Sequence, residues 1–202
     1  DMVIRGGENL YPREVEEFLQ RRADQEAELA PLVWEALIEG HIRVYRILDA
    51  LTLATHWLDL DPDNVRALEL RGLAYQQGLA AHKGTEDFSR AVALDPTREA
   101  ARWRLVLGLL DTGSYDEALT QLRYFEKKKP NDPDVMVRVA RCHNLLGRGE
   151  EARQVLDAVL ADHPDHPLAL RTRGQFALAD LQPARAEEWL RRAEKVWPTD
   201  YQ

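Results

Sequence analysis

The stretch EAARWRLVLGLLDTGSYDEALTQLRYFEKKKP, residues 99–130, decides the fold. Apolar residues recur at helical spacing on both sides of a short turn, Thr112-Gly113-Ser114. Pro130 closes the stretch, because proline cannot continue a helical hydrogen-bond ladder. The stretch therefore predicts two helices joined by a turn. The first helix is marked by Leu105 and Leu109, and the second by Tyr115, Ala118, Leu122 and Phe125.

The same pattern recurs along the 202-residue chain with a fixed period. Five of the ten prolines follow one another at intervals of 34 residues. They are Pro62, Pro96, Pro130, Pro164 and Pro198. A helix pair cannot bury its apolar face alone, so a period of this length is typical of arrays in which neighbouring pairs stack. We therefore expect function to reside on a surface of the array and not in a catalytic pocket.

A common numbering, in which the last proline of each repeat is position 32, aligns the five repeats. Position 20 is always small, as close crossing of two helices requires, and position 8 is mostly small. Positions 24 and 27 share a helix face with position 20 because the spacings are four and three residues. In repeat order, position 8 holds Ile38, Gly72, Val106, Ala140 and Gly174; position 20 holds Ala50, Gly84, Ala118, Ala152 and Ala186; position 24 holds Ala54, Phe88, Leu122, Leu156 and Leu190; and position 27 holds Trp57, Ala91, Phe125, Val159 and Ala193.

Residues 31–198 resemble the tetratricopeptide repeat family. The third repeat carries that family's turn glycine, its tyrosine at position 17, its Glu-Ala pair and its final proline as Gly113, Tyr115, Glu117, Ala118 and Pro130. The first repeat departs most from the pattern, because no turn residue stands near Tyr45, and we expect its first helix to end closer to Gly40. The resemblance implies an all-α, right-handed superhelix of about five helix pairs. These pairs are residues 31–62, 65–96, 99–130, 133–164 and 167–198.

Residues 1–20 do not follow the period, since Glu16 and Gln20 would occupy positions 20 and 24. They predict a short apolar strand, a Gly-Gly turn and a helix begun by Pro12. Residues 1–19 resemble the start of the C-terminal domain of AMP-forming acyl-CoA synthetases. The matching residues are Gly6, Gly7, Glu8, Asn9, Tyr11, Pro12, Glu14 and Glu17. We expect residues 21–30 to form a helical junction and residues 199–202 to be a truncated tail.

The resemblance to acyl-CoA synthetases does not imply catalytic activity for this sequence. In that family the glycine loop helps to shape the path of the pantetheine thiol, but the adenylating domain, the hinge residue and the catalytic lysine have no counterpart in this sequence. We therefore predict no enzymatic activity, no catalytic residue and no cofactor. The alternative prediction is the tail of an AMP-forming synthetase fused to a repeat array and catalytically incomplete.

The acidic net charge of the chain disfavours some classes of partner. The net charge is −8 and the pI is about 5.3, which argues against a general binder of nucleic acid or anionic membranes. No apolar run is long enough to span a membrane and no signal peptide is evident, so we expect a cytoplasmic location. The single cysteine, Cys142, excludes an internal disulfide and is expected to be a packing residue.

Three sets of polar residues contain residue types that occur in chemical sites. The segment Asp162-His163-Pro164-Asp165-His166 has residue types found in zinc sites, but zinc needs ligands that converge in a defined geometry, and an Asp- and Pro-rich turn between repeats is the preferred explanation. His41 and His143 both occupy position 11, where structural histidines are expected. The Lys127-Lys128-Lys129 run ends a helix, where cations favour the helix dipole. We predict no metal site.

The better candidate is the concave face formed, in the resembled family, by positions 2, 5, 9, 12 and 13 of each first helix. We expect this face to change from acidic through apolar to basic along the chain, and the first two repeats contribute Glu35, Glu39, Arg66, Glu69, Gln76 and Gln77. Aromatic and arginine residues most often anchor interfaces, so we expect a partner with an apolar side chain against Trp103 and a carboxylate near Arg141 and Arg171. The alternative for Trp103 is packing between helices. The predicted groove residues are Trp103, Leu107, Leu110, Val137, Arg141, Asn144, Arg171 and Gln175.

The sequence thus predicts a non-enzymatic scaffold that binds a protein or peptide partner, with no nucleic acid and no membrane insertion. The Lys-x-x-x-Asn pattern of tetratricopeptide domains that clamp chaperone tails is absent, which disfavours that partner. Only four residues follow Pro198, so we expect an uncapped final repeat belonging to a longer array. Self-association through that final repeat is a third prediction.

Overall fold

The computed structural model describes residues 17, 21, 29–78 and 80–196. All regular structure in these residues is helical, which confirms the predicted all-α class. Ten helices of 13 or 14 residues follow one another through short connections. They are α1 (Ala30–Arg43), α2 (Ile47–Leu60), α3 (Val65–Gln77), α4 (Ala81–Leu94), α5 (Glu99–Asp111), α6 (Tyr115–Lys128), α7 (Pro133–Leu145), α8 (Gly149–Asp162), α9 (Pro167–Ala179) and α10 (Pro183–Val196).

The chain forms two compact units, residues 1–108 and 109–202, and the boundary lies within α5. In the first unit α1 packs on α2, α2 on α3 and α3 on α4, and the first helices α1 and α3 also touch. In the second unit α6 packs on α7, α7 on α8 and α9 on α10, and α9 also contacts α7 and α8. Each unit therefore shows the stacking that a repeat array requires, in which a helix pair completes its core with the next pair.

The small residues predicted at position 20 are buried in all five repeats. Ala50, Ala118 and Ala152 are fully buried and Ala186 is 1% exposed. A Cβ on Gly84 would lie 2.7 Å from the backbone oxygen of Gly72, closer than real Cβ contacts allow. The two helices of this repeat therefore lie closer together than any residue larger than glycine would permit at Gly84. This confirms the prediction of a tight crossing at position 20.

Positions 8 and 24 pack against each other with reciprocal sizes. A Cβ on Gly72 would lie 2.9 Å from Cζ of the buried Phe88, and a Cβ on Gly174 would lie 2.7 Å from Cγ of Leu190. In the first repeat the sizes are reversed, since Ile38 and Ala54 are both fully buried. A large side chain on one helix thus stands opposite a small one on its partner, which fills the space between them without strain.

In four of the five helix pairs the turn uses a left-handed residue at position 15, and residue 79, which holds this position in the second pair, lies outside the described residues. Two of these residues, Gly113 and Gly147, are glycines, whereas Tyr45 and Leu181 take the same conformation with φ of 59° and 56°. The expectation that the first helix ends near Gly40 is therefore wrong: α1 continues to Arg43, and Tyr45 itself makes the turn. The register of the repeat, more than the residue type, imposes this conformation.

Hydrogen bonds explain why position 15 must be left-handed. The next N–H reaches back to the carbonyl at position 11, which satisfies an otherwise unpaired end of the first helix. These bonds are Arg46 N to His41 O at 2.9 Å, Ser114 N to Leu109 O at 2.9 Å, Arg148 N to His143 O at 2.8 Å and Gln182 N to Ala177 O at 2.8 Å.

The repeated prolines end the second helices as predicted. Helices α2, α4, α6 and α8 each stop two residues before proline, and the intervening residue is extended, with φ between −130° and −135°. The proline ring disfavours a helical conformation for the residue before it. Pro198 lies outside the described residues.

The synthetase-like segment lies outside the described residues except for Glu17, which is helical like the nearby Arg21. Arg21 Nε donates a hydrogen bond to the backbone oxygen of Glu17 at 3.2 Å. Within residues 29–78 and 80–196, no helix is both long enough and apolar enough to cross a membrane. In the last helix pair, Leu178, Leu181 and Leu190 are 51%, 88% and 36% exposed, and self-association through this end stays a prediction.

Candidate partner-binding face

The predicted groove residues lie on α5, α7 and α9, and each compact unit carries part of the set. In the unit of residues 1–108, Trp103 and Leu107 are half-buried one helical turn apart. Leu73, which the sequence analysis left out, occupies position 9 of its repeat as Leu107 does, and it is also half-buried. We call Leu73, Trp103 and Leu107 the apolar strip. Such partly exposed apolar side chains can contact a partner, and packing between helices remains the alternative for Trp103.

The acidic end of the predicted groove is not a free acidic surface, and this prediction needs correction. Arg66 Nε lies 2.7 Å from Glu35 and its Nη1 lies 3.3 Å from Glu69, while its Nη2 pairs with Glu39. Arg98 Nε donates to Glu69 at 2.7 Å. Two guanidinium groups therefore neutralise two of the three carboxylate charges.

The pKa values of the two arginines reflect these ion pairs. Burial lowers the pKa of Arg66, but the hydrogen bond and charge of Glu35, together with Glu69 and Glu39, outweigh that effect and raise it. The hydrogen bond from Glu69 raises the pKa of Arg98. The sequence shows charges of both signs at this face, but only the contact between successive first helices shows that they pair.

Two predicted groove residues in the unit of residues 109–202 are core residues. Val137 is fully buried and belongs to a cluster with Leu156 and Phe176 from the neighbouring helices α8 and α9. Leu110 is 8% exposed. Because α7 packs against α8 and α9 at once, a side chain as short as valine is covered completely.

The remaining predicted residues of this unit are accessible. Arg141 and Asn144 are half-buried, and Arg171 and Gln175 are exposed. Within the part of the chain that the structure describes, Arg141 has no ion pair. A half-buried guanidinium without a carboxylate is costly, and an anionic group on a partner would offset that cost.

Sequence analysis missed Arg138, which lies on α7 between Val137 and Arg141. Its side chain is only 16% exposed, and Nη1 donates to the backbone oxygen of Asp134 at 2.7 Å and lies 3.5 Å from the Asp134 carboxylate. Burial lowers the pKa of Arg138, Asp134 acts in the opposite direction, and the charge of Arg141 lowers the pKa further. Asp134 pairs with Arg138, and the neighbouring Arg141 adds a second positive charge to this part of α7.

The other polar candidates have structural roles. His166 accepts a hydrogen bond from the Ala169 N–H on Nδ1 at 3.3 Å and thereby caps α9. Cys142 is fully buried, as predicted, and burial raises its pKa to about 11. Among the described residues, no group of three histidine, cysteine or acidic side chains is arranged to hold a metal ion.

A separate small cleft opens beside α1 and α2. Its volume of about 230 Å³ is below the roughly 300–1,000 Å³ of typical ligand pockets. None of the predicted groove residues lies in it. The cleft is lined by Glu17, Leu37, His41, Arg46, Asp49, Thr52 and Leu53.

Helix pairs of constant length, a left-handed turn at a fixed position and reciprocal packing in two of the pairs define a helical repeat fold. Residues 109–176 match the family model described as tetratricopeptide repeat, which bears out the resemblance stated from the sequence over this part of the chain.

Two solved structures show the same fold. The crystal structure of YrrB, a TPR protein with an unusual peptide-binding site, is 19% identical, has a TM-score of 0.68 and covers 92% of this chain and 95% of its own. A structure of MamA (MSR-1) is 21% identical, has a TM-score of 0.64 and covers 83% and 97%. At these identities the likeness establishes the fold alone.

Curated relatives match over shorter stretches. Cellulose synthase operon protein C of Xanthomonas axonopodis pv. citri (strain 306) is 30% identical over 126 residues, 58% of this chain and 8% of the relative. Serine/threonine-protein phosphatase T of Aspergillus oryzae (strain ATCC 42149 / RIB 40) is 34% identical over 64 residues, 32% of this chain and 13% of the relative. The chain thus spans a small part of each.

Proposed function

We propose that this chain is a non-enzymatic scaffold whose first helices bind a protein or peptide segment that carries carboxylates. The observation that carries the proposal is Arg141, a half-buried guanidinium without an ion pair among the described residues. The exposed Arg171 of α9 adds a positive charge at position 5 of the next repeat. The peptide-binding site named for YrrB supports a peptide as the kind of partner.

The fold supports a scaffold because tetratricopeptide proteins are generally binding platforms and not enzymes. The apolar strip would contact an apolar side chain of the partner, and Asn144 and Gln175 would offer amide hydrogen bonds. Val137 and Leu110 are removed from the proposed contact set because they are buried. The synthetase-tail alternative, the exclusion of nucleic acid and membrane insertion, and the cytoplasmic location remain predictions.

Binding can be tested with labelled peptides of equal length. An alternating Glu-Leu peptide should bind the full chain, while Gln-Leu and Lys-Leu peptides should bind weakly, as measured by fluorescence anisotropy. Hydrogen bonds to charged groups are worth about 1.5–3 kcal/mol, so Arg141→Glu should weaken binding by about tenfold or more. The matched control is Arg123→Glu, an exposed arginine of the second helix α6, which should leave binding unchanged.

Trp103→Ala separates a binding role from a packing role. If Trp103 contacts the partner, this variant should lose affinity while its helical content by circular dichroism stays the same. Loss of helical content would instead assign Trp103 to the core. Equal binding of the acidic and neutral peptides, or an Arg141→Glu variant that binds as the parent does, would refute the proposal.

A further inference from the structure

The ion pairs at the first-helix face of residues 1–108 join three successive repeats. Glu35 and Glu39 lie on α1, Arg66 and Glu69 on α3, and Arg98 immediately precedes α5. Arg66 therefore connects α3 to α1, and Arg98 connects the start of α5 to α3. We call these five residues the inter-repeat clamp. All of its links except Arg66–Glu69, which lies within α3, cross from one repeat to the next.

We propose that the inter-repeat clamp is a salt-sensitive device that holds α1, α3 and the start of α5 in a fixed stack. This inference concerns the stacking of the helices, and it stands whether or not the proposed function is correct.

The inter-repeat clamp is sensitive to salt because it pairs a nearly buried carboxylate with partly exposed arginines. The Glu69 side chain is only 6% exposed and depends on both arginines for compensation. The Arg66 and Arg98 side chains are 34% and 39% exposed. Ions can therefore reach the cationic half of each pair, and added salt weakens the interactions of exposed charges.

The links differ in their exposure, so they should open in order. Glu35 and Glu39 are 35% and 42% exposed and should release Arg66 first. Glu69 would then retain Arg98 alone, and the contact between α1 and α3 would weaken before the Arg98–Glu69 link opens.

The experiment is amide hydrogen exchange of the full chain at low salt and at about 1 M NaCl. In the parent, exchange in α1 and α3 should rise by roughly 5- to 30-fold at high salt, the factor that follows from loss of a modest interaction. In Arg66→Gln, which removes both links to α1, exchange in the same helices should already be fast at low salt and should change little when salt is added.

The matched control is Asp87→Asn. Asp87 is also nearly buried and makes two hydrogen bonds to Arg71, at 2.9 and 2.7 Å, but this pair joins α3 to α4 within one repeat. Its loss should speed exchange in those two helices and leave the salt response of α1 in place. Comparison of Asp87→Asn with Arg66→Gln separates the loss of an ion pair within one repeat from the loss of the links between repeats.

The Arg66 side chain is one-third exposed, so its replacement should leave the fold intact. Glu69→Gln tests the second link: it removes the partner of Arg98 but leaves Arg66 paired with Glu35 and Glu39, so α1 should keep its salt response. A parent chain whose α1 amides ignore salt, or an Arg66→Gln variant that keeps the full salt response, would overturn the proposal.

Discussion

Placing a large side chain at Gly72 and a small one at Phe88 tests whether positions 8 and 24 form one packing unit. Phe88→Ala removes a ring that is 1% exposed and should lower the free energy of unfolding by about 3–5 kcal/mol. Gly72→Ile places a side chain where even a Cβ would lie 2.9 Å from Phe88, so overpacking should cost about 1–3 kcal/mol. The double variant recreates the Ile38 and Ala54 pair of the first repeat.

If the two positions fill one space, the double variant should be more stable than Phe88→Ala alone by about 1–2 kcal/mol, because the isoleucine occupies the volume the ring has left. Urea unfolding followed by circular dichroism measures all four proteins of the cycle. The reverse exchange, Ile38→Gly with Ala54→Phe, is the matched control in the first repeat. Simple addition of the two single effects would refute reciprocal packing.

Three further predictions follow from burial and backbone conformation. Leu181→Gly should raise the free energy of unfolding by about 0.5–1 kcal/mol, because relief of left-handed strain of about 1–2 kcal/mol exceeds the entropy cost of glycine. Urea unfolding measures this change, and Leu181→Ala should not stabilise the chain in the same assay. Because the raised pKa of Cys142 favours the neutral thiol in the folded state, stability measured in urea should fall as pH rises from 9.0 towards 11, and a Cys142→Ala variant should lose this dependence. Val137→Ala should cost about 2 kcal/mol and leave affinity for the acidic peptide unchanged; weakened binding without loss of stability would return Val137 to the contact set.

Periodicity was enough to predict the helix pairs, because each depends on local spacing and on its neighbours in the array. The turn at Tyr45 was missed since residue type was weighed above register: position 15 is left-handed even without glycine. The difference between half-buried Trp103 and buried Val137, both at position 5, depends on side-chain length and on the helices that cover each one. Sequence position alone cannot distinguish them.

The pairing of Arg66 with Glu35 and of Arg98 with Glu69 was also missed, although the period contains a signal for it. Both glutamates occupy position 5, and each arginine lies at or just before the start of the next first helix, 31 and 29 residues further on. A separation close to one repeat places side chains on adjacent helices of a stacked array. Opposite charges at that separation therefore predict a pair between repeats, just as opposite charges four residues apart predict one within a helix.

The same rule explains why charge counts alone misjudged the binding face. Within residues 1–108, the carboxylates at positions 5 and 9 meet arginines of the following repeats, and little charge remains for a partner to recognise. In α7, Arg138 lies 3.5 Å from the carboxylate of Asp134, whereas Arg141 has no ion pair among the described residues. A charge that the array leaves uncompensated is one that a partner can compensate. The specificity of the proposed binding should therefore follow the unpaired Arg141 and not the net charge of −8.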